Sequence, residues 1–391
     1  MKEVVIVSGA RTAVGTMGGS LKDVHESDLG GLVIKESVKR AGIAPEQVDE
    51  AIVGCVGQVA ESGFLGRMCS LKGGLPLETT AYSVNRQCGS GLQAINNAVQ
   101  QIQCGAAEVV VAAGTENMNG LPYYVRKARF GYRFGHDQFE DGLLTILTWP
   151  MGPYPNGITA ENVAEQFNIS REDQDKYALM SQERALAAIE AGRFKDEIIP
   201  VEVKEGKATK LFNTDEHPRS GLSLDKLAKL RPAFKEGGSV TAANSSGVND
   251  GAAAVVMMSR EKAEELGLKP ILKVVGYATA GIHPDIMGFA PAPATKKALE
   301  LTGLTIDEID LIELNEAFAS QSVAVIRDLD IPLEKVNVNG GAIAMGHPVG
   351  ATGVILTVKL MHEMQRRQAK RGLVTMCIGG GQGITTIFEA V

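Results

Sequence analysis

The 391-residue sequence has few cysteines and aromatic residues, no long apolar run and no excess of basic residues. Its five cysteines, at positions 55, 69, 88, 104 and 377, form no C-x-x-C pair, which argues against a zinc cluster or a disulfide framework. No stretch approaches the ~20 uninterrupted apolar residues of a membrane helix, and the N-terminal residues lack the apolar segment of a signal peptide. We therefore expect a cytoplasmic protein with free thiols and no membrane partner.

The charge balance and the missing motifs exclude further classes. Lys and Arg (39) are outnumbered by Asp and Glu (46), and the net charge of −7 gives no electrostatic reason to expect nucleic acid as a partner. No G-x-G-x-x-G follows a strand and opens a helix, and neither G-x-x-x-x-G-K-[ST] nor G-x-S-x-G occurs. These absences argue against a dinucleotide fold, a P-loop and a serine hydrolase.

An internal repeat is the main organising feature of the chain. The stretch KESVKRAGIAPEQVDEAI from Lys35 resembles KKALELTGLTIDEIDLIE from Lys296 without a gap, so that Gly42 stands opposite Gly303. Strand and helix patterns alternate in both copies, which predicts an α/β protein with two related halves. The segment between them is rich in aromatic, Gly and Pro clusters and predicts an inserted loop domain. We expect a discontinuous N-terminal half (1–119 and 241–268), a loop domain (120–240) and a C-terminal half (269–391).

The stretch VNRQCGSGLQAINNAV places Cys88 at a predicted turn from a strand to a helix. Residues 79–84 are rich in β-branched and aromatic side chains, while Leu92, Ile95 and Val99 recur at helical spacing. The positive N-terminal end of a helix stabilises a thiolate, which favours a nucleophile. A free cysteine is also commonly a buried apolar residue. The local pattern leaves both interpretations open.

Three stretches of the second half combine reactive residues with glycine. They are NEAFA at Asn315, GGAIAMGHPVGATG, which contains His347, and CIGGGQG at Cys377. Asn315 could be a simple helix cap, and Cys377 a core thiol at the end of an apolar strand. His347 fits neither a helix nor a strand face, and loops so rich in glycine commonly allow a ligand to approach the backbone.

These blocks, in this order, resemble the signature blocks of the thiolases, the acetyl-CoA acetyltransferase and 3-ketoacyl-CoA thiolase family. The resemblance extends from VIVSGARTAVGTMGGSLKD to the C-terminal residues. It implies a five-layered αβαβα thiolase fold built from two duplicated halves plus the loop domain. It also implies an oligomer, a homotetramer (a dimer of dimers) or a dimer, with the tetramer resting on the PYYVRKARFGYRFG segment.

The resemblance also implies the roles of the reactive residues. Cys88 would be the acylated nucleophile, His347 its base, and Cys377 the acid and base acting on the second substrate. Asn315 would hold a water that forms one oxyanion hole with His347, and the backbone N–H groups of Cys88 and Gly379 would form the other. The implied reaction is the reversible, ping-pong condensation of two acetyl-CoA molecules to acetoacetyl-CoA and CoA.

Coenzyme A is expected as substrate and product, with no cofactor and no metal. The resemblance implies that coenzyme A is held by Arg219, Ser246, Phe234, Ala242 and Phe318. The chain departs from the short-chain pattern where it reads YPNGITAENVA, with Pro155 and Asn156 in place of a His-Met pair. This leaves two alternatives open: a 3-ketoacyl-CoA thiolase of broader chain length, and a non-catalytic acyl-CoA-binding subunit. A decarboxylating ketoacyl synthase is disfavoured because it does not need Cys377.

Overall fold

The computed structural model describes residues 2–391, which alternate strands and helices along most of the chain. The strands are β1 Val4–Thr12, β2 Gly15–Thr16, β3 Glu50–Gly54, β4 Thr80–Val84, β5 Val109–Asn117, β6 Tyr123–Tyr124, β7 Glu140–Asp141, β8 Thr148–Trp149, β9 Tyr154–Pro155, β10 Ile198–Ile199, β11 Val201–Glu205, β12 Ala208–Phe212, β13 Asn249–Ser259, β14 Leu272–Gly281, β15 Leu311–Leu314, β16 Arg371–Ile378 and β17 Gln382–Ala390. The α-helices are α1 Glu26–Ala41, α2 Leu65–Lys72, α3 Ser90–Cys104, α4 Gly142–Ile146, α5 Asn156–Gln166, α6 Arg171–Glu190, α7 Leu224–Ala228, α8 Arg260–Glu265, α9 Pro291–Thr302, α10 Ala319–Asp328, α11 Ala342–Met345 and α12 Thr352–Arg367.

The repeat found in the sequence corresponds to repeated structure. Helix α1 is capped at its C-terminal end by Gly42 (φ +73°) and α9 by Gly303 (φ +68°), both in the left-handed conformation that glycine adopts at low cost. A short 3-10 turn and then a strand follow each helix, β3 in the first half and β15 in the second. The duplicated α/β architecture predicted from the sequence is confirmed.

The main strands form one hydrogen-bonded order, β15-β16-β17-β14-β1-β13-β5-β3-β4. The pairs β3–β4, β3–β5 and β15–β16 are parallel, and the other neighbours along this order are antiparallel. The halves join where Val5 and Ile6 pair with Lys273 and Leu272. This short pairing links the strands of the two halves into one continuous hydrogen-bonded order.

Five layers result from the placement of the helices. Helices α3 and α12 pack against each other between the two halves, and Leu92, Ile95, Val354 and Val358 belong to the buried apolar core between the sheets. Helix α1 covers the outer face of the first half, and α9 covers that of the second. Within residues 2–391, no helix has the length and apolar character needed to cross a membrane.

The segment between β5 and β13 consists of small hairpins and two longer helices, α5 and α6. The strand pairs β6–β7, β8–β9 and β11–β12 are each two-stranded. Helix α6 begins at a capping box, in which Ser170 Oγ accepts from the Asp173 N–H at 3.0 Å and the Asp173 carboxylate accepts from the Ser170 N–H at 3.2 Å. Helix α6 packs against α10 and α11, next to the loops of the second half.

Candidate active site

Cys88 lies in the turn between β4 and α3, as the sequence pattern predicts. The turn is tight, because a Cβ at Gly89 would stand 2.7 Å from the Ile378 side chain. Burial raises the pKa of the Cys88 thiol to about 11, although hydrogen bonds from the backbone N–H groups of Gly379 and of Cys88 itself act to lower it. The expected stabilisation of a resting thiolate by the helix end is therefore outweighed by burial.

His347 follows α11 in a loop where the preceding position, 346, has room only for glycine. Gly346 has φ +98°, and a Cβ there would stand 2.5 Å from the Asn249 side chain. The Asn249 Oδ1 accepts from the His347 backbone N–H at 2.9 Å and holds this loop in place. Burial lowers the pKa of His347 to about 4, so its imidazole is neutral near pH 7.

The contacts of the imidazole determine which nitrogen carries the proton. His347 Nδ1 lies 2.7 Å from Thr352 Oγ1, and this hydroxyl lies 2.9 Å from the Pro348 carbonyl oxygen. A hydroxyl has one hydrogen and a carbonyl only accepts, so we assign Thr352 as the donor to Pro348 and the acceptor from Nδ1–H. The lone pair of His347 is therefore on Nε2, the nitrogen that a base would use.

Asn315 lies immediately after β15 and faces His347. Its Nδ2 is 3.3 Å from His347 Nε2, which is consistent with Nε2 as an acceptor. Its Oδ1 is buried and has no hydrogen-bond partner among residues 2–391. The interpretation of Asn315 as a helix cap is wrong, because α10 begins at Ala319 and Phe318 occupies its N-cap position.

Cys377 lies near the end of β16 and is fully buried. It belongs to a small apolar cluster with Met287, Ala317 and Phe318, so the core interpretation describes its surroundings correctly. Burial raises the pKa of Cys377, and the nearby Cys88 raises it further. The glycines that follow form the turn to β17, with φ +87° at Gly380 and φ +83° at Gly381. The structure thus brings together Cys88, Cys377, Gly379 and the pair of His347 and Asn315.

A mostly apolar cavity of about 250 Å³ opens onto Cys88 and His347. Three of the five residues expected to hold coenzyme A line it: Ser246, Phe234 and Phe318. Phe234 and Phe318 pack edge to face with ring centroids 6.0 Å apart. The cavity is also lined by Pro155, Asn156, Met118, Leu144, Leu147 and Val349. The residues that depart from the short-chain pattern therefore face the same space as the reactive thiol.

Arg219 and Ala242 lie elsewhere, on a second pocket of about 150 Å³ that is also lined by His217, Gln182 and Lys226. The Arg219 side chain is exposed, and its backbone N–H donates to Gln182 Oε1 at 2.8 Å. Burial and the nearby Arg219 lower the pKa of His217 to about 4. Within residues 2–391, no group of three or more His, Cys, Asp or Glu side chains is arranged to hold a metal ion.

Some residues that support the site were missed by sequence reasoning. Besides Thr352 and Asn249, buried Glu116 accepts from the backbone N–H groups of Val56 at 2.9 Å, Gly57 at 2.8 Å and Gly350 at 2.8 Å. It therefore ties the loop after β3 to the loop of His347. No periodicity or spacing in the sequence predicts these contacts, because they join segments that are distant along the chain.

The fold and the site together define a duplicated α/β protein with a buried cysteine and a neutral histidine on one apolar cavity. Residues 4–261 match the family model described as "Thiolase, N-terminal domain", and residues 268–390 match "Thiolase, C-terminal domain". The chain belongs to the thiolase family.

Relatives and solved structures agree with this membership over the whole chain. An acetyl-CoA acetyltransferase of Syntrophomonas wolfei is 53% identical and covers 100% of both chains. The crystal structure of the Bacillus anthracis acetyl-CoA acetyltransferase superimposes with a TM-score of 0.98 at 46% identity, covering 100% of this chain and 99% of that one. Human mitochondrial 3-ketoacyl-CoA thiolase in complex with CoA gives a TM-score of 0.96 at 45% identity, covering 100% and 98%.

Proposed function

We propose that this protein is an acetyl-CoA C-acetyltransferase, an acyltransferase that condenses two acetyl-CoA molecules reversibly to acetoacetyl-CoA and CoA. The observation that carries the proposal is the placement of Cys88 and of His347, whose Nε2 is unprotonated, on one apolar cavity. The full-length relative named acetyl-CoA acetyltransferase supports the same activity. Coenzyme A enters as substrate and leaves as product, with no further cofactor.

In the first half-reaction, His347 Nε2 takes the proton of Cys88, and the thiolate attacks the thioester carbon of acetyl-CoA. Negative charge develops on the thioester oxygen, where the backbone N–H groups of Cys88 and Gly379 stabilise it. The CoA thiolate leaves and recovers the proton from His347, and acetyl-Cys88 remains. A thiolate exchanges with a thioester at little thermodynamic cost, which favours cysteine over serine here.

In the second half-reaction, Cys377 gives its proton to His347 Nε2, and the resulting Cys377 thiolate removes a proton from the methyl group of a second acetyl-CoA. A water held by Asn315 and the protonated Nε2 of His347 stabilise the negative charge on the thioester oxygen of that substrate. The resulting carbanion attacks the acyl carbon of acetyl-Cys88 and releases the Cys88 thiolate. That thiolate takes the proton from His347 Nε2, so both thiols and the neutral imidazole are restored and acetoacetyl-CoA departs.

Substrate binding divides between the two pockets. We assign the nucleotide end of coenzyme A to Arg219 and Ala242, and the pantetheine and acyl end to Ser246, Phe234 and Phe318. The division into residues 1–119 with 241–268, residues 120–240, and residues 269–391 is part of the proposal, with substrate contacts concentrated on the middle segment. A 3-ketoacyl-CoA thiolase of broader chain length is the second candidate, because polar Asn156 lines the acyl end of the cavity.

We further propose a cytoplasmic homotetramer assembled through residues 122–135, the PYYVRKARFGYRFG segment. Phe130, Tyr132 and Phe134 on this segment are exposed, with Phe130 at 92%. Several exposed aromatic side chains on one short segment are typical of a surface that another chain covers.

The test is a CoA-dependent thiolysis assay over 3-ketoacyl-CoA substrates of four to sixteen carbons, with intact-mass detection of the acylated protein. Activity confined to the shortest substrates establishes the acetyltransferase. Activity that extends to long chains establishes the broader thiolase. The absence of any acyl adduct would contradict both and favour the non-catalytic subunit.

A further inference from the structure

Gln321 is a buried polar residue beside the reactive sulfur of Cys377. It lies in the first turn of α10, and its side chain is fully buried. A Cβ at Gly288 would stand 2.6 Å from the Gln321 Cβ, so a glycine at that position is what allows Gln321 to pack this closely. The site as proposed above assigns no role to Gln321.

The partners of the Gln321 amide determine which end is nitrogen. One end of the amide lies 3.6 Å from Cys377 Sγ and 3.1 Å from the backbone carbonyl oxygen of Asn315. The other end lies 2.8 Å from the Ser322 backbone nitrogen. A carbonyl oxygen only accepts and a backbone N–H only donates. The amide nitrogen therefore faces Asn315 and Cys377, and the amide oxygen faces Ser322.

This orientation changes the role of the Cys377 sulfur. With oxygen at the near end, the thiol hydrogen of Cys377 would be held by the amide. With nitrogen there, the sulfur accepts a hydrogen bond, and its own proton is free to be transferred. An amide NH2 group has two hydrogens, one for each of its two acceptors here.

We propose that Gln321 is a catalytic residue of the condensation step, whose amide donates one hydrogen to Cys377 Sγ and the other to the Asn315 carbonyl oxygen. The hydrogen bond stabilises the Cys377 thiolate, which forms when the thiol proton passes to His347 and then takes the methyl proton of the second acyl-CoA. This inference rests on the proposed function, which makes Cys377 the base of that step.

The surroundings of Cys377 explain why such a donor is needed. Burial among apolar side chains raises the pKa of Cys377, and the neighbouring Cys88 raises it further. Against these effects, the backbone N–H of Cys377 is a single donor to the sulfur. A second donor favours the ionised form, and a hydrogen bond to a charged group is stronger than one between neutral groups.

The test uses Gln321→Met, which removes both donors and keeps the length of the side chain. Gln174→Met is the matched control, because Gln174 is also a fully buried helical glutamine but contacts Ser239 and not the reactive residues. Gln321→Glu is a second variant of the same shape. An ionised carboxylate there has no hydrogen to donate. A protonated carboxyl group has one, which goes to the nearer and stronger acceptor, the Asn315 backbone carbonyl oxygen, so this variant also loses the bond to sulfur.

We expect Gln321→Met to acetylate Cys88 from acetyl-CoA at the wild-type rate but to condense about tenfold to hundredfold more slowly. The pH midpoint for alkylation of Cys377 by iodoacetamide, measured by peptide mapping in a Cys88→Ser background, should move upward by about one unit. The Gln174→Met control should change neither quantity.

Wild-type condensation and an unmoved midpoint in both Gln321 variants would overturn the inference. Failure of the proposed function is a different result, in which the wild-type protein forms no acyl adduct. In that case the alkylation midpoint alone still tests the hydrogen bond to Cys377.

Discussion

At the scale of single residues, burial shifts the pKa values of the Cys88 thiol and the His347 imidazole in opposite directions. Burial raises the pKa of Cys88 to about 11 and lowers that of His347 to about 4, because it disfavours the charged form of each group. The resting pair is therefore neutral, and in the proposed mechanism the thiolate forms when the proton moves to Nε2 during attack. Thr352 keeps Nε2 unprotonated at rest by accepting a hydrogen bond from Nδ1–H.

Substitution of the two cysteines should separate the half-reactions. Cys88→Ser should form no detectable acyl-enzyme, whereas Cys377→Ala should still acylate Cys88 and lose carbon–carbon bond formation by more than about a hundredfold. Intact-mass spectrometry and a condensation assay measure the two steps. Acylation of Cys88→Ser at another cysteine would show that the nucleophile is assigned to the wrong residue.

The pH profile should report the buried histidine. Its folded-state pKa of about 4 predicts that the acid limb of kcat/KM lies well below the ordinary histidine value of 6.5. As pH falls below 6.5, the imidazole of His347 becomes protonated in the unfolded chain but not in the folded one. His347 therefore lowers the free energy of unfolding progressively as pH falls from 6.5 to about 4. Thiolysis rates after brief pH jumps measure the limb, and a midpoint near 6.5 would contradict a base desolvated by burial.

At the scale of elements, a buried ion pair connects β15 to α12. Lys359 Nζ lies 3.0 Å from Glu313 Oε2 and donates to the Gly340 carbonyl oxygen at 2.8 Å. Burial raises the pKa of Glu313 to about 7, although Lys359 acts to lower it. The pair holds the helix that follows His347 against the strand that precedes Asn315.

Removal of this lysine should destabilise the fold in a pH-dependent way. Lys359→Met leaves a buried carboxylate without its partner and should cost about 3–5 kcal/mol of unfolding free energy. The loss should be greater at pH 8 than at pH 5, because the pKa of Glu313 rises further and protonation relieves the unpaired charge. Urea unfolding at the two pH values measures the loss of unfolding free energy. Glu313→Gln added to Lys359→Met should restore part of that free energy. Equal losses at both pH values would argue against this origin.

The start of helix α5 should control acyl length. Asn156 follows the β8–β9 hairpin, where its backbone N–H donates to the Leu147 carbonyl oxygen at 2.9 Å, and it lines the cavity. Asn156→Met should shift the substrate profile toward short 3-ketoacyl-CoA, because the larger apolar side chain fills space at the acyl end. The measurement is kcat/KM over the chain-length series. Asn156→Gln separates added volume from lost polarity. An unchanged profile in both variants would show that position 156 does not determine the chain-length preference.

At the scale of the whole molecule, neither half contains the site by itself. The first half supplies Cys88, and the second supplies Asn315, His347 and Cys377, on the loops that meet where the halves face each other across α3 and α12. The two halves therefore share one α/β arrangement, and the candidate site residues lie on loops that differ between them.

The exposed aromatic segment should determine assembly. Phe130→Ser combined with Phe134→Ser should convert the proposed tetramer to dimers, because it removes apolar area that a neighbouring chain would cover. Light scattering measures the mass, and Leu211→Ser provides a matched loss of an exposed apolar side chain on the β11–β12 hairpin. An unchanged mass in the double variant would rule out this segment as the contact.

The sequence by itself determined the duplicated α/β architecture and the turn of Cys88, because periodicity and turn chemistry are local. The roles of the reactive residues follow from the resemblance to the thiolases and stay predictions. Tertiary structure alone decided the protonation of the site. Whether His347 presents Nε2, whether the Gln321 amide faces Cys377, and how far burial moves each thiol depend on contacts between segments far apart in the chain. Desolvation and hydrogen-bond partners are properties of the packed molecule, and residue patterns do not encode them one segment at a time.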